Sequence, residues 1–66
     1  MPVAKVIELS SASSEGLEDA VRSGLRKCSE TVSNITGATV SEIRVVTGAD
    51  GSVSEWQVAL RVNYEV

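Results

Sequence analysis

The stretch Val53–Val66 (VSEWQVALRVNYEV) limits what this chain can fold into. Large residues fall on every second position, at Trp56, Val58, Leu60, Val62, Tyr64 and Val66, with Gln57, Ala59, Arg61, Asn63 and Glu65 between them. A period of two marks a half-buried β-strand. No Pro or Gly interrupts it. An extended run of this length reaches about 46 Å at roughly 3.3 Å per residue, whereas a compact domain of this size has a radius of gyration of about 11 Å. The strand is too long for the body of its own monomer. It must curl around something or lay its end against another chain, and the pattern predicts both.

The 66 residues make one domain, 1–66, and at this size a single core is marginal. Small chains add disulfides, a metal or oligomerisation. Here Cys28 is the one cysteine and there is no His, so neither an intrachain disulfide nor a Cys/His zinc cluster can form. Self-association is the remaining route. A lone thiol suits a reducing compartment, so a cytoplasmic location is expected. The apolar run near the start is short and broken by Lys5 and Glu8, unlike a signal peptide. Nothing approaches the ~20 apolar residues of a membrane span. With a net charge of −3, no basic patch, and only Trp56 and Tyr64 as aromatics, nucleic acid is not an expected partner. Catalysis is not expected either. Without His no Ser-His or Cys-His pair can form, and the carboxylates lack the spacing of a paired acid and base.

Val3–Leu9 reads as a first strand, with Lys5, Ile7 and Leu9 on one face; Pro2 precedes it, where a missing N–H does little harm. Ser10–Ser14 reads as a polar loop, with Ser13 or Ser14 as helix N-cap. Leu17, Ala20, Val21, Gly24, Leu25, Cys28, Val32 and Ile35 recur at spacings of three and four, predicting an amphipathic helix from about residue 14 to about residue 34. Gly24 on its apolar stripe predicts close approach to a sheet, and Cys28 reads as a small core residue. Gly37 is the expected helix stop. Ala38–Val46 is the second strand, with Ser41, Ile43 and Val45 on one face and Val40, Glu42, Arg44 and Val46 on the other. Thr47–Ser52 contains Asp50-Gly51, a strong hairpin signal. The fold class is therefore α+β, a β-α-β-β chain. A hairpin makes strands two and three antiparallel, and an antiparallel sheet throughout requires strand order 1-3-2, curled around the helix. The face carrying Gln57, Ala59, Arg61 and Asn63 is too polar for an intramolecular core; it suits an oligomer contact or a ligand-lined surface.

Taken in order, Lys5–Leu9 (KVIEL), the serine-rich approach to the helix, Asn34-Ile35 at its exit, Glu42 and Arg44, the Asp50-Gly51 turn and the closing WQVALRVNYEV resemble the dodecins, and the match spans nearly the whole chain. The resemblance implies a hollow homododecamer that binds and stores flavin, riboflavin or FMN, without turning it over. It implies a ligand contact at Gln57, whose amide offers donors and an acceptor, and a second at Arg44. The tryptophan on which flavin-binding members stack the ring corresponds to Gly37, so the platform is missing and flavin binding is expected to be weakened. Trp56 does not replace it, because it precedes Gln57 and faces the other side of the sheet. Two differences accompany this loss: a hairpin about one residue longer, and Val46 near a position that often holds His. Some relatives lacking the tryptophan are associated with calcium, for which Glu8, Glu42, Asp50 or Glu55 would supply oxygens. A shell without a small ligand is the third reading. Without the resemblance, Gln57 reads better as a polar residue of an exposed or intersubunit strand face, and Arg44 as one side of an ion pair with Glu42, Glu55 or a neighbouring subunit.

Overall fold

The structure, a computed structural model, describes residues 3–66. Pro2 lies outside the described residues. The elements are β1 (Ala4–Ser13), α1 (Leu17–Cys28), β2 (Ile35–Thr47) and β3 (Val53–Glu65). They form one antiparallel sheet in the order β1-β3-β2. The long alternating stretch is the central strand. Its registers set five rows on the helix side: Lys5–Tyr64–Ile35, Ile7–Val62–Ala38, Leu9–Leu60–Val40, Ser11–Val58–Ile43 and Ser13–Trp56–Val45.

The core is small. Ala20, Cys28, Val58, Leu60 and Val62 are buried, with Ile7, Leu9, Leu17, Val21, Leu25, Val32 and Ile35 packed around them. The helix lies on β1 and β3 rather than on β2. Gly24 lets it approach closely, since a Cβ there would stand 2.9 Å from Ser11 Cβ and 3.3 Å from Leu60 Cδ1. Acidic Glu18 and Asp19 occupy the first turn and basic Arg26 and Lys27 the last, as the helix dipole favours.

Several boundaries differ from the sequence expectations, each for a physical reason. β1 does not stop at Leu9. Ser10–Ser13 is strand rather than loop, because β3 is long enough to pair with it through Ser10↔Ala59, Ser11↔Val58, Ala12↔Gln57 and Ser13↔Trp56. The helix begins at Leu17, with Gly16 at φ 157°, ψ 172° as its N-cap residue, a backbone region open essentially to glycine alone. Ser13 is therefore not the N-cap, but it braces the helix start from the strand end. Its Oγ accepts from the Glu15 N–H at 2.9 Å and donates to Asp19 Oδ2 at 2.6 Å. The helix ends at Cys28 rather than near residue 34. Ser29 Oγ donates to the Arg26 carbonyl and Thr31 Oγ1 to the Cys28 carbonyl, side chains competing for the backbone as the last turns tighten. Val32 and Ile35 still reach the core, but from the connection and from β2.

Gly37 is not a helix stop. The positive φ falls at Asn34 (63°), and Gly37 lies in β2 opposite Asn63. β2 carries register irregularities between Ile35 and Gly37, Val40 and Glu42, and Val46 and Thr47. The unmatched residues are Thr36, Ser41 and Ser54, and each donates its hydroxyl to a carbonyl across the strand pair: Thr36 to Asn63, Ser41 to Ala59, Ser54 to Val46. The bulge at Ser41 reverses the expected phase, so that Val40 shares the helix-side face with Ile43 and Val45. In the β2–β3 turn the Gly51 N–H donates to the Gly48 carbonyl, and Gly51 takes φ 85°.

The long axis measures 52 Å and the radius of gyration is 13.6 Å, above the ~11 Å of a compact chain of this length. The excess lies in the β2–β3 hairpin. Apart from Ile35, every residue of β2 is exposed, including Val40, Ile43, Val45 and Val46.

Candidate functional site

On the sheet face away from the helix, β1 and β2 flank Gln57 and Ala59 of β3 with short side chains on one side and a charged pair on the other. The two rows are Ala12–Gln57–Arg44 and Ser10–Ala59–Glu42. They enclose a groove of about 290 Å³, lined also by Ser11 and Val58. The groove exists because small residues at the end of β1 and at Ala59 leave room between the longer Gln57, Arg44 and Glu42. Ending the first strand at Leu9 conceals Ser10, Ser11 and Ala12 as part of it. The available signal was that Ser-Ser-Ala-Ser continues a strand pattern in small residues.

The sequence-marked residues thus divide. Arg44 and Gln57 are cross-strand neighbours in one groove. Gly37 shares their face but lies opposite Asn63, six residues along β3 from Gln57 and so about 20 Å away. It does not line the groove of its own chain. A Cβ at Gly37 would meet nothing within 4 Å, so its surroundings are open. Trp56 faces the helix side, in the row Ser13–Trp56–Val45, as expected.

The charges in and around the groove are arranged unequally. Arg44 forms no ion pair with Glu42 or Glu55, the ion pairs among the described residues being Arg22–Glu18, Lys27–Glu30 and Arg61–Glu8. Its guanidinium, a planar fork of donors, is open to a ligand. Gln57 is held instead: its Nε2 donates to Glu55 Oε1 at 2.8 Å. The oxygens considered for calcium are dispersed. Glu8 faces Arg61, Glu42 lines the groove, Glu55 holds Gln57, and Asp50 sits in the hairpin turn bonded to Ser52. Among the described residues no three His, Cys, Asp or Glu side chains gather around one point. Chemically, the groove offers a bidentate amide, a guanidinium and a carboxylate over small apolar walls. That is a set for orienting a polar, flat molecule, without a nucleophile and base in register.

A second concavity, between α1 and the outer part of β1, is lined by Ser11, Ser23, Gly24, Lys27, Cys28 and others. Cys28 there is buried, in agreement with a packing role. Among the described residues no helix is long and apolar enough to cross a membrane.

Comparison with known proteins gives this geometry a context. A sequence model of the Dodecin family matches residues 3–66. A dodecin from Thermus thermophilus is 38% identical over 64 residues, 97% of this chain and 91% of that protein. A crystal structure of a Thermus thermophilus protein superposes with a TM-score of 0.91 at 36% identity, covering 100% of this chain and 96% of the other. The dodecin of Streptomyces davaonensis gives 0.90 at 29% identity, with 98% and 94% covered. A protein of Mycobacterium tuberculosis described as calcium dodecin shares the fold, with a TM-score of 0.81 at 23% identity over 97% and 90%. With family model, sequence and backbone in agreement over essentially its whole length, the chain belongs to the dodecin family.

Proposed function

We propose that this chain is a non-enzymatic, cytoplasmic binding and storage protein that works as a homododecameric shell, and that its ligand is a flavin, riboflavin or FMN, contacted by Arg44 and Gln57. The observation that carries the reading is the cross-strand pairing of Arg44 with Gln57 in one groove, on the sheet face the helix leaves uncovered. Gln57 offers donor and acceptor to a heterocycle edge, and Arg44, which forms no ion pair among the described residues, offers planar donors to a carbonyl or phosphate. Kinship with dodecins supports the same ligand class. Self-association is supported by the uncovered apolar strip of β2 and by a hairpin that extends past the core. In the assembly, the Gly37 face of a neighbouring copy closes over the groove, and glycine there provides no ring to stack on.

Weak flavin binding is the consequence. An aromatic stack contributes about 0.5–1.5 kcal/mol beyond the burial of its surface, and each ~1.4 kcal/mol is tenfold in affinity. Fluorescence titration with riboflavin and FMN is expected to show weak quenching for the wild type. Gly37→Trp, placed in open space, is expected to tighten binding at least about tenfold. Absence of binding by the Gly37→Trp protein would sink the flavin reading.

A calcium role for the assembly has the Mycobacterium protein as its precedent. It is the weaker reading, because among the described residues the carboxylates of one chain do not converge, and an ion would need oxygens from several copies. A thermal shift with calcium but not with flavin favours it. A shift with neither leaves a shell without a small ligand. One native mass spectrum reports subunit number and retained ligand together.

A further inference from the structure

A side-chain amide in a groove can present its two ends in either order, because a half-turn exchanges oxygen and nitrogen. In Gln57 that freedom is removed. Nε2 donates to Glu55 Oε1 at 2.8 Å, and an ionised carboxylate has acceptors only, so it takes the amide nitrogen and repels the amide oxygen. Glu55 is not itself part of the groove wall, and no Lys or Arg forms an ion pair with it among the described residues. Among the described residues its one polar side-chain partner is the Gln57 amide. One Nε2 proton is committed to Glu55. That leaves the other proton and Oε1 as a donor and an acceptor in fixed order.

We propose that Glu55 is a positioning residue that locks the Gln57 amide and thereby makes the groove select planar heterocycles with an imide or lactam edge, an N–H flanked by a carbonyl. Such an edge donates to Oε1 and accepts from the free Nε2 proton. A ligand of the same shape with that N–H methylated leaves Oε1 without a donor. The inference rests on the ligand reading above, since it specifies which edge of the flavin ring is read.

The test compares riboflavin with its N3-methyl analogue, in wild-type and Gly37→Trp backgrounds, each with and without Glu55→Gln. Glutamine at 55 keeps the shape but either donates or accepts, so the Gln57 amide turns freely. With Glu55 present, riboflavin is expected to bind about tenfold tighter than the methylated analogue, the effect of one unmade hydrogen bond. With Glu55→Gln, that preference is expected to shrink to about twofold. A merely structural role for Glu55 would weaken both ligands alike and leave the ratio unchanged, and an unchanged ratio overturns the proposal. If neither ligand binds in any background, the flavin reading itself falls, and the edge preference with it.

Discussion

Asp50 shows how one residue couples a turn to solution conditions. Its carboxyl is held below the ordinary carboxylate range, first by the Ser52 hydroxyl, which donates to Oδ1 at 2.7 Å, and then by the Ser52 N–H at 3.0 Å. Because the folded-state value is lowered, the stabilisation is present above the unfolded value and is lost as pH falls through the lower, folded one. The hairpin turn should therefore loosen only in acid. Ser52→Ala removes the larger cause while keeping the N–H bond, and should move the Asp50 titration part of the way back up. Carboxyl-carbon NMR through an acid titration measures this directly; an unmoved midpoint would mean that the hydroxyl is not the cause. The groove residues were legible in a different sense. Gln57 and Arg44 could be marked from the chain, but their pairing across β2 and β3 depends on the register set at the hairpin, where Ser54 is left unmatched between Val53 and Glu55.

At the scale of elements, the contact between α1 and the sheet turns on Gly24. Alanine is the better helix former by about 1 kcal/mol. Here its methyl would meet a strand Cβ at 2.9 Å, an atom fixed to the backbone rather than the free end of a side chain. Overpacking of this kind costs about 1–3 kcal/mol and outweighs the propensity gain. Gly24→Ala is expected to lower stability by about 1–2 kcal/mol, read from the midpoint of a urea titration, while Gly37→Ala, in open space, should change it little. A stabilised Gly24→Ala protein would show that the helix can move off the sheet at no cost. The helix length was misread because Val32 and Ile35 keep the helical spacing after the helix has ended. Periodicity reports which residues are buried, and a connection folded back onto the core buries them equally well. Thr36, Ser41 and Ser54 give the reverse lesson. Their hydroxyls donate to carbonyls at irregular points of the ladder, where a strand continues although its period of two does not.

The whole molecule is elongated because its central strand exceeds its core. With an accessible surface of 4639 Å², it exposes more than the roughly 4,000 Å² of a compact monomer of its mass. Ile43 and Val45 are 54% and 45% exposed on the helix-side face, beyond the reach of the helix. An apolar strip of this kind is expected to be covered by other copies. Replacing both, Ile43→Lys with Val45→Lys, should lower the subunit number seen by sedimentation velocity and native mass spectrometry. The row Leu9–Leu60–Val40 and the helix contact are untouched, so circular dichroism should still report strand and helix. A fully assembled double variant would place the subunit contacts elsewhere.

The chain by itself determined the strand order and the polar face. Both follow from an uninterrupted period of two, from the Asp50-Gly51 turn and from the need to bury one side of a long strand. With one cysteine and no histidine, its composition leaves no intrachain disulfide to form. Tertiary structure decided where β1 and α1 end, because β3 offers hydrogen-bonding partners to serines that are loop-forming in isolation. It decided which β2 residues share a face, because one bulge moves every later side chain to the opposite side. And it separated Gly37 from Gln57 by six residues along β3, so that a site using both must be built from more than one copy.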